Sequence, residues 1–316
     1  MIKVLLVNHS LGTTCGLFAH GKRLERILSS SKKYTFYYGE CSSMEDLSKV
    51  VKTVQPRVII YNYLQSCFPW VGDVKIKYPN ISHVGITHDI PPGATTSDHL
   101  HPFDYRITVD PSIPCSGRWF KSTSRALFNF KHSNPVGGVV PTIPKIGTFG
   151  FFLPHKFFGS IINSVKEEFE EAIINMHLTV PFFDGDSLQS QLSQFTQAAN
   201  DYLKGSKIAL NITTNRLSDN DLITLLNSND LNVFFYSMNI GSGPSSGIDY
   251  SVAAGKPIIT NVSYQFRHVA GRIPIYPETS LRKAIELGNS EILKLQEEWS
   301  DEKVLQDYES MIEQIG

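Results

Sequence analysis

Short, nearly continuous apolar runs alternate along this chain with segments whose apolar residues recur at helical spacing. Residues 2–7 read as a first buried strand, followed by a Gly/Thr turn over 11–16. Phe18, Leu24 and Ile27 then mark one face of a helix. Further strands are predicted near 34–38, 58–61, 84–87 and 106–109, with helices near 44–53 and between the third and fourth strands. The fourth strand runs into His88-Asp89-Ile90-Pro91-Pro92. Such alternation predicts a parallel sheet covered by helices.

Between about 133 and 147 the pattern breaks at Asn134-Pro135-Val136-Gly137-Gly138 and Pro141-Thr142-Ile143-Pro144. A second alternation follows. Strands are predicted over 146–150, 177–180, 207–212, 233–236 and 257–260, with helices near 157–172, 188–203 and 222–226 and one ending at Gly255. The expected architecture is α/β, two Rossmann-like doubly wound domains with a cleft between them. The expected spans are 1–140, 141–295 and a C-terminal helix, 296–316, packing back toward the first domain. Ligands of such sheets sit outside the carboxyl ends of the strands.

Composition narrows the function classes. The 316 residues carry a formal net charge of −1, so no overall field steers the chain toward nucleic acid or anionic membrane. One local basic segment, Arg118, Lys121, Arg125, Lys131 and His132 with interleaved aromatics, fits either the solvated face of a helix or a polyanion contact. Cys15, Cys41, Cys67 and Cys115 lack zinc or disulfide spacing, which favours a reducing compartment. No run approaches the roughly 18 apolar residues of a membrane span. A cytoplasmic location is expected.

The loop Gly241-Ser242-Gly243-Pro244-Ser245-Ser246-Gly247 opens a helix. Such a turn presents backbone N–H groups and a positive dipole end to an anion. It also reads as a plain cap, with Ser246 and Asp249 forming a capping box.

This segment, with Asp230-Leu231-Asn232-Val233-Phe234-Phe235-Tyr236 before it and Tyr250-Ser251-Val252-Ala253-Ala254-Gly255-Lys256-Pro257-Ile258-Ile259 after it, resembles the donor-binding region of retaining GT-B glycosyltransferases, family 4 in particular. Gly147-Thr148-Phe149-Gly150 with Lys156 is similar to the strand and loop that open the donor domain, and Ile86-Thr87-His88-Asp89 to an N-domain strand end. The resemblance implies transfer of a sugar from a nucleotide-diphosphate sugar, UDP- or GDP-linked, to an acceptor hydroxyl, with retention and without a metal. It implies catalytic roles for His88, Lys156 and Asp249. It places the donor on Gly12, Thr13, Gly150, Lys156, Ser242, Gly243, Ser245, Ser246, Gly247, Asp249 and Tyr250. Saccharides, lipid-linked glycans and modified DNA are the expected acceptor classes.

The sequence also departs from that family. Ser242 and Tyr250 stand where it has two glutamates, and Phe151 where it has an arginine. These departures keep two alternatives open, a degenerate nucleotide- or sugar-binding protein and a nucleotide-sugar epimerase. Taken singly, Lys156 also fits a solvated surface lysine, and His88 a structural histidine under the Pro91-Pro92 turn.

Overall fold

The computed structural model describes residues 1–10, 16–90, 101–122, 134–181, 185–238 and 243–316. The chain divides into two compact units. The first comprises Met1–Leu127, Ser242–Pro244 and Glu298–Gly316, and the second Phe128–Gly241 and Ser245–Glu297.

The first unit runs β1 (Lys3–Asn8), α1 (Gly16–Leu28), β2 (Thr35–Glu40), α2 (Met44–Val54), β3 (Val58–Tyr63), a 3₁₀ turn (Val71–Asp73) into α3 (Val74–Lys77), β4 (Ser82–Thr87), β5 (Tyr105–Thr108) and β6 (Trp119–Lys121). The second runs β7 (Lys145–Phe151), α4 (Phe158–Glu168), β8 (Glu171–Thr179), α5 (Gly185–Leu203), β9 (Lys207–Thr213), α6 (Asp219–Asn227), β10 (Leu231–Phe234), α7 (Ser246–Ala254), β11 (Ile258–Asn261), β12 (Ile275–Tyr276), α8 (Leu281–Leu287) and α9 (Ser290–Glu298). The last helix, α10 (Asp301–Ile315), belongs to the first unit.

Each unit holds one six-stranded parallel sheet, ordered β2-β1-β3-β4-β5-β6 and β12-β11-β10-β7-β8-β9. Chain order reverses once in each sheet, between β1 and β3 in the first and between β7 and β10 in the second. Such a reversal leaves a crevice at the carboxyl ends of the two strands, the place where doubly wound sheets bind ligands.

Buried strands explain why the apolar runs are continuous rather than alternating. In the first unit, one sheet face packs Val4, Leu6, Ile60, Val84 and Ile107 against Leu24 and Ile27 of α1 and Val304, Tyr308, Met311 and Ile312 of α10. The other face packs Leu5, Val7, Ile59 and Tyr61 against Leu47 and Val51 of α2. In the second, Ile146, Ile174, Met176, Val233 and Ile259 meet Ile161, Val165, Leu192 and Ala284 from the covering helices. Serines begin several helices: Ser43, Ser218, Ser280 and Ser300 each accept a hydrogen bond from a first-turn N–H.

A chain of asparagines crosses the second sheet. Asn211 donates to Asn175 (3.0 Å), Asn175 to Asn229 (2.9 Å), Asn229 to Asn232 (3.0 Å), and Asn232 to the Leu226 carbonyl (3.1 Å). It passes over Gly147 of β7, where any Cβ would overlap the Asn229 amide.

The structure corrects the sequence reading of the elements at several places. The helix expected to 172 ends at Glu168, because Ile173 and Ile174 join β7 in register with Lys145 and Ile146. Residues 119–121 of the basic segment form the edge strand β6, not a helix. The helix expected between β3 and β4 is a 3₁₀ turn and one short turn of α-helix. Among the described residues, no helix is long and apolar enough to cross a membrane.

Candidate functional site

The second unit's crevice is built from the chain upward. After β7 the backbone turns back and docks on the segment following β10, with Phe157 N–H donating to the Phe235 carbonyl and Ser237 N–H to the His155 carbonyl, both 2.8 Å. This sets Lys156 opposite Tyr236 in an isolated antiparallel bridge. The Lys156 ammonium lies 5.1 Å from the centroid of the Tyr236 ring. It also covers Gly150, whose φ of +145° suits glycine alone, and a Cβ there would lie 2.5 Å from Nζ. Among the described residues, no carboxylate pairs with Lys156. Burial, then the Lys156 charge, hold the neighbouring His155 below the ordinary histidine range.

Tyr236 is fixed from both sides. Asn261 accepts from its N–H and donates to its carbonyl, each at 2.8 Å. Its hydroxyl accepts from Ser245 Oγ at 3.3 Å. Ser245, not Ser246, is the N-cap of α7. Its own N–H is held by the Gln265 carbonyl (3.0 Å), and its Oγ accepts from Gly247 N–H (3.2 Å). At Gly247 an added Cβ would press to 3.1 Å against the Phe234 ring.

The other expected residues of this half divide. Asp249 is 1% exposed within the first turns of α7. Tyr250 donates its hydroxyl to Asp219 at the start of α6 (2.7 Å) and sets its ring edge-on to Phe149. Ser246 is exposed. Gly12, Thr13 and Ser242 lie outside the described residues.

The first unit carries a polar cluster at its own crevice. Register places Val7 beside Tyr61, so Asn8 and Asn62 are neighbours, both fully buried. Asn62 donates to Asn8 Oδ1 (2.9 Å), and its Oδ1 meets His88 Nε2 at 2.7 Å. His20 of α1 sets its ring edge-on to His88, centroids 4.8 Å apart. Gly243 also belongs to this unit, and the close approach it permits is to the Asp89 carboxylate and the His88 carbonyl.

Solved structures share this architecture. Anabaena HepE in complex with UDP-glucose is 11% identical over 99% of this chain and 100% of its own, with a TM-score of 0.63. The apo form of the lipopolysaccharide outer core galactosyltransferase WaaB is 11% identical over 100% of both chains, also at 0.63. The N-terminal domain of Candida albicans trehalose-6-phosphate phosphatase is 11% identical over 98% of this chain and 95% of its own, at 0.59. The chain has the GT-B fold. No family model and no curated protein matches its sequence.

Within this GT-B chain, Lys156, Gly150, Ser245 and Gly247 gather around Tyr236 in the second unit, while His88 and Gly243 meet in the first. Tyr236, Asn261, Asn8, Asn62 and His20 were not singled out by sequence. For the asparagines a signal exists, a lone amide inside or ending an otherwise apolar strand.

Proposed function

We propose that this chain is a glycosyltransferase whose donor is a nucleoside diphosphate sugar, bound at the crevice of the second unit. The observation that carries the reading is the convergence on Tyr236 of a half-buried ammonium, without a carboxylate partner among the described residues, and a capped helix start. A diphosphate seated there would neutralise Lys156 and meet the N-terminal end of α7. As the glycosidic bond breaks, negative charge grows on the departing diphosphate. Lys156 would stabilise it, a type of contact worth roughly 3–4 kcal/mol when preorganised. Retention and metal independence are part of this proposal, with the leaving phosphate assisting deprotonation of the acceptor hydroxyl. UDP is the first nucleotide to try, because HepE was solved with UDP-glucose.

A second reading has its own observations. Tyr250 is engaged by Asp219 and Asp249 is buried, so among the described residues no exposed acidic group stands at the second glutamate's position. A phosphatase's N-terminal domain shares the fold. A protein that binds the nucleotide without transferring its sugar fits these facts.

Calorimetric titration with UDP, GDP, ADP and CMP and their sugars, on the wild type and Lys156→Ala, tests the donor site. One nucleotide bound by the wild type and lost in the variant supports it. Binding by none of them overturns it. Release of the nucleotide from its sugar in an acceptor screen then separates transferase from binder.

A further inference from the structure

We infer that Asn62 is a positioning residue that holds His88 as the Nε2–H tautomer, through a hydrogen-bond chain whose direction is set by backbone groups. An amide can be flipped and a neutral imidazole has two tautomers, so orientation has to be argued from partners with one possible role.

The argument starts at Asn8. His9 N–H can only donate, and it donates to Asn8 Oδ1 at 3.0 Å. The Phe18 carbonyl can only accept, and it accepts from Asn8 Nδ2 at 3.1 Å. The Asn8 amide is therefore fixed, with Oδ1 turned to Asn62. At Asn62, the Leu17 carbonyl accepts from Nδ2 at 2.7 Å, and Asn8 Oδ1 accepts from the same nitrogen at 2.9 Å. Both Nδ2 hydrogens are thereby used, and only Oδ1 remains to face His88 at 2.7 Å. An oxygen cannot donate here, so His88 Nε2 carries the proton. The basic nitrogen of the neutral ring is then Nδ1.

Local sequence supports the arrangement. Gly21 has no side chain at the point where a Cβ would overlap the Asn8 amide. The chain crosses β1, β3 and the end of β4, the strands beside the switch point. Elsewhere in the same sheet, His83 is held by Tyr61 and the Tyr78 carbonyl and stays out of this network.

The consequence for chemistry rests on the transferase reading. With Nε2–H held by Asn62 Oδ1, neutral His88 keeps Nδ1 as its basic nitrogen, and the bond keeps the ring from turning.

The test is a long-range proton–nitrogen correlation spectrum of the full chain with nitrogen-15-labelled histidine, at a pH where the rings are neutral. His88 is assigned by its loss in His88→Gln. The expected spectrum shows His88 protonated at Nε2 and bare at Nδ1, unlike a solvated ring averaging both forms. Asn62→Leu should release the ring to averaging. A wild-type His88 protonated at Nδ1, or averaging like a free imidazole, overturns the inference even if the leucine variant does not fold. Failure of UDP, GDP, ADP and CMP to bind overturns the transferase reading and leaves the tautomer assignment standing.

Discussion

Lys156 and Tyr236 face each other across the crevice of the second sheet, ammonium over ring, and Tyr236 passes the contact on to Ser245 at the start of α7. A cation held over an aromatic face is stabilised by the ring quadrupole, yet keeps its full charge for an anion. Lys156→Ala should weaken nucleoside diphosphate binding about 10- to 100-fold, the range of one hydrogen bond to a charged group. Tyr236→Phe, which removes only the hydroxyl that accepts from Ser245, should cost a few-fold. Calorimetry on both variants checks the order, and equal affinities for Lys156→Ala and wild type would contradict it.

Gly150 couples backbone and site. Its φ of +145° is strained for any other residue, and an added methyl would crowd the Lys156 ammonium. Gly150→Ala is expected to lose about 1–3 kcal/mol in urea unfolding and also to lower nucleotide affinity. Destabilisation with unchanged affinity would mean that Lys156 finds its place without the glycine.

Gly147 leaves room for the asparagine chain. Gly147→Ala forces the Asn229 amide aside, opening its bonds to Asn175 and Asn232. A loss of roughly 2 kcal/mol or more follows from overpacking and unpaired buried amides. Urea unfolding measures it, and a neutral substitution would show that the sheet relaxes around the methyl.

Buried histidines make stability fall in acid. Burial first of all holds His9, His83, His155 and His177 below the ordinary histidine value. His83 shows why: its Nε2 donates to the Tyr78 carbonyl and its Nδ1 accepts from the Tyr61 hydroxyl, so a second proton would break the latter bond. The unfolded chain takes up protons near pH 6.5, before the folded chain does. Stability is therefore fully present above about pH 6.5 and lost as pH falls below it, by up to about 1.4 kcal/mol per pH unit for each such histidine. Urea midpoints from pH 8 to 5 should show this slope, and His83→Gln should make it shallower.

Tyr308 of α10 is buried with its hydroxyl unpaired among the described residues. Tyr308→Phe should raise stability by about 1 kcal/mol, because an unsatisfied buried hydroxyl is a net cost. Met311→Ala, in the same core, should lower it by about 2–5 kcal/mol. A destabilised Tyr308→Phe would reveal a partner for the hydroxyl.

The two-sheet architecture was legible because fully buried strands such as Val58-Ile59-Ile60-Tyr61 announce themselves as apolar runs and helices by their period. The three-residue β6 and two-residue β12 were not, since a period needs more residues than they have. Lys156 and the start of α7 carry local motifs that point to them. Tyr236 could not, because its part depends on a loop eighty residues earlier docking beside it. Asn8 and Asn62 are 54 residues apart, and only the parallel register makes them partners.

The first unit's interleaved chain has a consequence for the order of assembly during synthesis. Its core face is closed by Val304, Tyr308, Met311 and Ile312, yet its first six strands all precede residue 122. A nascent chain at residue 297 holds every segment of the second unit, while the first still lacks its covering helix. The unit translated second is therefore the first able to complete its core. Until α10 emerges, apolar surface around Leu24 and Ile27 stands open to water, to chaperones or to another nascent chain.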